Sequence, residues 1–277
     1  MAATSGLVVF LVSGCAAGGA DAARPEVSIV TGAARLDPAN VAVDLPLSHF
    51  MLDVTGQRKE MRAQDLVMQD CMGEKGYPTV VPNRLLFEPV GFEFNHFGPW
   101  VAERAAKYGY GKPPKPPGAL KLSEWDQSLS QSAGEIAGEC IASDAYQRLD
   151  PQVEFAKDPA ARGTHESYQW AKQDPIWAAK VVEFQSCMRT FGYQFVADHQ
   201  FMPSNVLEVK GQQEIEMAMH DVECKTQVNL VQELSDLVAA YQNDFISKNE
   251  AALLEQQNRE ADQLKAAEAI IAAHAAP

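Results

Sequence analysis

The feature that most limits how this chain can fold is a heptapeptide, C-M-x-x-x-G-Y, that occurs twice, at residues 71–77 and 187–193. Helices commonly end with a glycine in the left-handed conformation at position C′, and an apolar residue at C″ then packs back onto position C3. The spacing within the heptapeptide places Met at C3, Gly at C′ and Tyr at C″. It therefore predicts that each copy ends a helix and that Met and Tyr touch across the helix end. The residues in these positions are Met72, Gly76 and Tyr77 in the first copy and Met188, Gly192 and Tyr193 in the second.

Apolar residues recur at helical spacing ahead of both copies. Met61 and Met68 precede the first copy, and Trp177, Val181 and Phe184 precede the second. Met and aromatic residues at this spacing are typical of the buried face of a helix. We therefore predict two core helices here and no cofactor.

Cysteines give the second strong constraint. The chain has five, and if Cys15 is modified an even set of four remains, which in an oxidising compartment favours two disulfides. Sequence alone leaves three pairings open; we favour the one that ties each heptapeptide helix to the next cysteine downstream. That pairing is Cys71–Cys140 with Cys187–Cys224. Loops of this size stabilise the fold by about 4 kcal/mol each through chain entropy.

The alternative use of these cysteines is as four reduced thiols that bind a metal. Structural zinc sites draw their ligands from closely spaced pairs such as C-x-x-C. The chain contains no C-x-x-C and no two neighbouring cysteines. We therefore expect no metal site.

The N-terminus resembles an export signal. Gly6–Gly14 is an apolar run too short to span a bilayer, and it ends in V-S-G-C, which is similar to the lipobox of bacterial lipoproteins. We predict a signal peptide over 1–14, a diacylglycerol on Cys15 and a small, polar, flexible tether over 15–45. Met1–Gly14 lacks the usual Lys or Arg, which leaves open a start further upstream. The alternative is a buried N-terminal strand with a free Cys15.

The remaining pattern predicts a mainly α fold. We expect a disulfide-stapled helical domain over 46–250 with long Pro/Gly-rich loops, including helices at 99–108, 125–142 and 175–191. G-Y-G-K-P-P-K-P-P-G at 109–118 favours polyproline II. We expect an exposed connector here, and a recognition loop is the alternative.

The longest periodic stretch, 211–273, predicts a long C-terminal helix. Its apolar face thins after Lys248. We therefore expect 251–277 to form an extended helical tail that projects into solvent; pairing with a partner helix is the alternative.

Several of these segments together resemble a group of uncharacterised exported lipoproteins from actinobacteria with paired C-M-x-x-x-G-Y motifs. The resemblance covers roughly 45–245. It is carried by D-L-P-L at 44–47, the two heptapeptides, G-Y-G at 109–111, a lone Cys and D-V-E-C at 221–224. It implies export and disulfides, and it brings no catalytic residues.

Charge and chemical motifs narrow the function classes. The formal net charge of −14 argues against nucleic acid and against electrostatic docking on anionic lipid. The chain lacks H-E-x-x-H, G-x-S-x-G, a phosphate loop and G-x-G-x-x-G. Asp198-His199 is an isolated acid–histidine pair, and Asp65 and Asp70 are interpreted as exposed helical charge.

These observations predict a lipid-anchored extracytoplasmic protein with a non-catalytic binding or accessory role in the envelope. Its expected partners are the membrane, through the N-terminal lipid, and an envelope protein or ligand of unknown identity. One alternative is a structural interaction module that pairs through its C-terminal helix. The other is an unrecognised hydrolase of cell-wall or peptide substrates, which requires polar groups that converge in a cleft.

Overall fold

The computed structural model describes residues 24–87, 93–94, 96–149, 158–196 and 199–275. Within these ranges the chain is mainly helical, with two disulfides and a long C-terminal helix, as predicted. The helices are α1 (Val54–Glu74), α2 (Ala102–Tyr108), α3 (Pro117–Ser128), α4 (Gln131–Ile141), α5 (Asp144–Gln147), α6 (Pro159–Lys172), α7 (Pro175–Thr190), α8 (Gln212–Gln227) and α9 (Leu230–Ala275). An antiparallel hairpin precedes them, formed by β1 (Arg35–Asp37) and β2 (Ala42–Asp44). Single 3₁₀ turns cover Pro46–Phe50 and Arg84–Leu86.

Short polar side chains begin several of these helices. Each accepts a hydrogen bond from a backbone N–H of the first turn, a group that has no partner within the helix itself. Proline stands in the first turn of α3, α6 and α7, where its missing N–H removes no helical hydrogen bond. The N-cap residues that accept such a bond are Asp53, Ser130, Ser143, Asp158 and Asp174.

The largest apolar cluster lies where α7, α8 and the first half of α9 meet. Trp177 and Phe184 of α7 are buried in it, as the helical spacing of the second heptapeptide helix predicts. Phe97 and Phe201 enter from loops, and each ring meets Trp177 edge to face. The same cluster contains Leu234, Leu237 and Tyr241 of α9.

The long periodic C-terminal stretch is divided into two helices. α8 ends before Val228, and Asn229 adopts a positive φ of 52°, a conformation that Asn tolerates better than most residues. α9 then bends at Asn249, whose φ of −128° is not helical. The side chain of Asn249 donates to the Phe245 carbonyl at 2.8 Å and accepts from Arg162 at 3.1 Å.

The expectation that the tail projects into solvent is wrong. Beyond the bend, α9 packs along α1 of the same chain, and Leu253 and Ala267 are fully buried. Polar contacts also hold this segment: Lys59 pairs with Glu268 at 2.6 Å. The sequence pattern missed this packing because small Ala side chains can bury a helix face that looks weakly apolar. Residues 251–275 are thus packed against the rest of the chain.

The interpretation of 15–45 as a flexible tether is also wrong for its described part, which begins at Arg24. The guanidinium of Arg24 binds both Asp174 and the Tyr241 hydroxyl. Further along, Asp236 of α9 accepts hydrogen bonds from the backbone N–H groups of Gly32 and Ala34, both at 2.9 Å. The described part of this segment is therefore held to the helical body through its side chains and its backbone.

Smaller corrections concern the middle of the chain. The helix expected over 125–142 is two helices, α3 and α4, which separate at Leu129 and Ser130. The short helix expected near 99–108 is present as α2.

Residues 1–14 and Cys15 lie outside the described residues. In the described part of the chain, no helix has both the length and the apolar content needed to cross a membrane.

Candidate functional site

Both heptapeptides end their helices with the hydrogen bonds that the spacing predicts. Gly76 and Gly192 have φ values of 84° and 90°. The Tyr77 N–H donates to the Met72 carbonyl at 2.8 Å, and the Tyr193 N–H donates to the carbonyl of Met188 at 3.3 Å. This is the six-to-one bond of a Schellman motif. The predicted helix ends at α1 and α7 are thus confirmed.

The two tyrosine side chains have different surroundings. Tyr193 packs against the large apolar cluster that contains Met188, and its hydroxyl lies 3.0 Å from His220 Nδ1. Tyr77 lies at the surface with 36% of its area exposed. Both copies therefore end their helix with the same backbone hydrogen bond, whereas only the tyrosine of the second copy packs its side chain against an apolar cluster.

The two disulfides have the favoured pairing. Cys71 of α1 is bonded to Cys140 of α4, and Cys187 of α7 is bonded to Cys224 of α8, with Cα atoms 5.8 and 5.6 Å apart. Cys140 and Cys224 are fully buried, while Cys71 and Cys187 are half-buried. Each bond thus links the last turn of a heptapeptide helix to a neighbouring helix from within an apolar cluster.

Cys71, Cys140, Cys187 and Cys224 are all in disulfides, and so none of them is a free thiolate that could bind a metal. Among the residues that the structure describes, no group of three or more His, Cys, Asp or Glu side chains is placed to hold an ion. Lipidation of Cys15 stays a prediction because that residue lies outside the described ranges.

A buried polar cluster that sequence reasoning did not single out joins three distant segments. Asp221 and Lys225 lie one turn apart on α8, their side chains are 0% and 1% exposed, and they form an ion pair. The Tyr110 hydroxyl donates to Asp221 Oδ2 at 2.7 Å, and Lys225 Nζ donates to the Pro99 carbonyl at 2.9 Å. We call Tyr110, Asp221 and Lys225 the buried triad.

Burial dominates the electrostatics of the buried triad. Desolvation raises the pKa of Asp221 to about 6 and lowers that of Lys225, because each charged form loses its hydration. The attraction between the two groups opposes both shifts. Burial, and then the charge of Asp221, raises the pKa of Tyr110, so that its hydroxyl remains a donor. The Lys225 ammonium also lies 5.1 Å from the centre of the Phe184 ring.

A cleft of about 150 Å³ lies beside the buried triad. Gly98 and Pro99 line it from one loop, and Gly109–Lys112 line it from another. Gly98 has a φ of 76°, and a Cβ atom there would stand 3.2 Å from Lys225 Nζ. Because Tyr110 donates to Asp221 and the Pro99 carbonyl accepts from Lys225, both cleft-lining loops are held to α8.

The remaining cleft walls combine rings, aliphatic groups and paired charges. Arg104 of α2 donates to both carboxylate oxygens of Glu93, at 2.7 and 2.9 Å, and to the Gly111 carbonyl at 2.7 Å. Lys112 is exposed at the rim. The apolar lining residues are Val41, Phe94, Trp100 and Met202. Such a lining suits a small ligand that has an apolar part and a polar group.

The structure also places the acidic residues weighed in the sequence. Asp65 is 4% exposed and pairs with Arg84 Nε at 2.6 Å, so its interpretation as exposed helical charge is wrong. Asp70 is exposed at the surface beside His274. Asp198 lies outside the described residues. Neither Asp65 nor Asp70 lines the cleft.

One signal for the buried triad was present in the sequence. G-Y-G and D-V-E-C, two of the segments that carry the resemblance to exported lipoproteins, supply Tyr110 and Asp221. They meet in space although 111 residues separate them. An Asp and a Lys four residues apart are ordinary on exposed helices, and so the spacing alone could not reveal their burial.

Comparisons with known proteins add no relatives. The chain matches no protein-family model, no curated protein and no solved structure. The resemblance to actinobacterial lipoproteins therefore stays a prediction that rests on its motifs.

The glycines of the first heptapeptide offer a matched test of the helix end. Gly73 and Gly76 both have open space where a Cβ would stand, but only Gly76 has a positive φ. We expect Gly76→Ala to lower the free energy of unfolding by about 1–2 kcal/mol and Gly73→Ala to raise it by about 0.5–1 kcal/mol. Urea denaturation measures both. Equal effects of the two substitutions would contradict the assigned helix end.

The buried triad has an internal control of the same spacing, the surface pair Asp244–Lys248. We expect Asp221→Leu or Lys225→Met alone to cost about 3–5 kcal/mol, because each leaves a buried charge unpaired, and the double variant to cost far less than the sum. The same changes at Asp244 and Lys248 should cost less than about 1 kcal/mol. Additive losses at Asp221 and Lys225 would contradict a coupled pair.

Proposed function

We propose that this chain is an exported, lipid-anchored protein of the bacterial cell envelope that binds a small ligand or partner in the cleft beside the buried triad. The observation that supports export is the pair of disulfides, Cys71–Cys140 and Cys187–Cys224. Structural disulfides form and persist in oxidising compartments outside the cytosol. The lipobox-like V-S-G-C at 12–15 supplies both the export route and the anchor. The cleft is proposed as the binding site because apolar side chains and oriented polar groups line it together.

The packing of the N-terminal segment supports an anchored body held close to its membrane. Arg24, bound to Asp174 and Tyr241, stands nine positions after Cys15. Nine residues span at most about 30 Å when fully extended. The anchor proposed at Cys15 would therefore keep the face around Arg24 within that distance of the bilayer surface.

A non-catalytic role agrees with the chemistry of the cleft. Two of its polar lining residues already have partners: Arg104 binds Glu93, and Tyr110 binds Asp221 of α8. Polar groups that are held in this way orient a ligand through their free lone pairs, and the apolar walls of the cleft contact its apolar part. We do not propose pairing through the C-terminal helix, because α1 covers the apolar face of that segment.

Cys15 and Ser13, two positions before it, allow a matched test of the anchor. In a bacterial host fed an alkyne-tagged palmitate, we expect the wild type and Ser13→Ala to carry the tag and to sediment with membranes. Cys15→Ser should lose both properties, because the lipid is attached to the cysteine sulfur. Membrane association of Cys15→Ser, or a wild-type N-terminal peptide with an unmodified Cys15, would refute the proposal.

A further inference from the structure

We propose that residues 112–116, K-P-P-K-P, form a ready-made polyproline II ligand that docks into an aromatic groove with an acidic rim on a partner protein. We call Lys112–Pro116 the proline ridge. This docking surface is separate from the lipid anchor, and the inference holds whether or not Cys15 carries lipid.

The conformation of the proline ridge follows from its sequence. Proline fixes its own φ near −65° and disfavours the helical region for the residue before it. Every residue from Lys112 to Pro116 is a proline, precedes one, or both. Pro116 has φ −64° and ψ 155°, which is polyproline II geometry. No helix or strand includes residues 112–116.

The repeat K-P-P matches the period of this conformation. Polyproline II has three residues per turn, and so residues three apart lie on one edge. Pro113 and Pro116 form one edge, Lys112 and Lys115 share a second, and Pro114 lies on the third, before the chain enters α3 at Pro117. The result is a continuous apolar ridge beside a row of positive charge, which fits a groove of aromatic rings flanked by carboxylates.

Both ends of the proline ridge are fixed to the body of the protein. Upstream, Tyr110 binds Asp221 and the Gly111 carbonyl accepts from Arg104. Downstream, Gly118 is buried so closely against Phe87 that a Cβ atom at this position would collide with the Phe87 ring. A segment that is held at both ends and already extended loses little conformational entropy when it binds.

The proline ridge is also exposed and positively charged. Residues 112–115 are all exposed, and neither lysine forms a hydrogen bond or ion pair with any residue in the described ranges. Two positive charges within four residues stand out on a chain of net charge −14. An acidic groove rim would be attracted to this patch and repelled by the rest of the surface.

Site-specific photo-crosslinking tests the proposal on the full-length protein in its own envelope. Benzoylphenylalanine at Leu120, just beyond the ridge, is compared with the same probe at Leu254 on α9; both leucines are 46% exposed. We expect one discrete protein adduct from position 120 and none from position 254. Pro113→Ala/Pro116→Ala should reduce the adduct about tenfold or more, and Lys112→Gln/Lys115→Gln should reduce it less. Unchanged melting temperatures show that the variants fold.

The isolated partner must then bind the synthetic peptide G-K-P-P-K-P-P-G and not the same peptide with the Pro113→Ala and Pro116→Ala substitutions. An adduct that forms equally from both probe positions, or that survives the proline substitutions, would overturn the proposal. Sedimentation with phosphatidylglycerol vesicles that requires the lysines and not the prolines would also overturn it and would assign the segment to an anionic surface.

Discussion

Two disulfides at helix ends are the constraint on which the rest of this structure depends. Each joins the last turn of a C-M-x-x-x-G-Y helix to a second helix, which gives the pairs α1–α4 and α7–α8. The glycine of each motif then turns the chain away from the helix axis immediately after the bond. α9 connects the two halves, because its first part packs with α7 and α8 and its second part packs along α1.

The buried triad solves a different problem, that of holding loops that have little apolar surface of their own. Tyr110 and Pro99 come from two loops that line the cleft, and both bind the Asp221–Lys225 pair of α8. A buried ion pair is costly to desolvate, and what this one does in the structure is to hold the two loops to α8. The cleft proposed as a ligand site and the proline ridge both adjoin the loop that Tyr110 anchors.

Helix ends and apolar helix faces were predictable from the sequence, whereas the burial of charged side chains and of weakly apolar segments was not. The helix ends follow from Gly76 and Gly192 because a Schellman motif is determined by neighbouring residues alone. Asp221–Lys225 and Asp244–Lys248 have the same residues at the same spacing, yet the first pair is fully buried, whereas Lys248 of the second is 60% exposed. The segment from Arg24 onward and the C-terminal end of α9 were likewise misjudged, since their partners lie far away in the chain.

Each heptapeptide staples its own helix pair, and non-reducing peptide mass spectrometry of the protein from its native source is the direct test of this pairing. We expect two linked peptide pairs, one joining Cys71 to Cys140 and one joining Cys187 to Cys224. Free thiols at these four positions, or a bond that joins the two heptapeptides to each other, would contradict it.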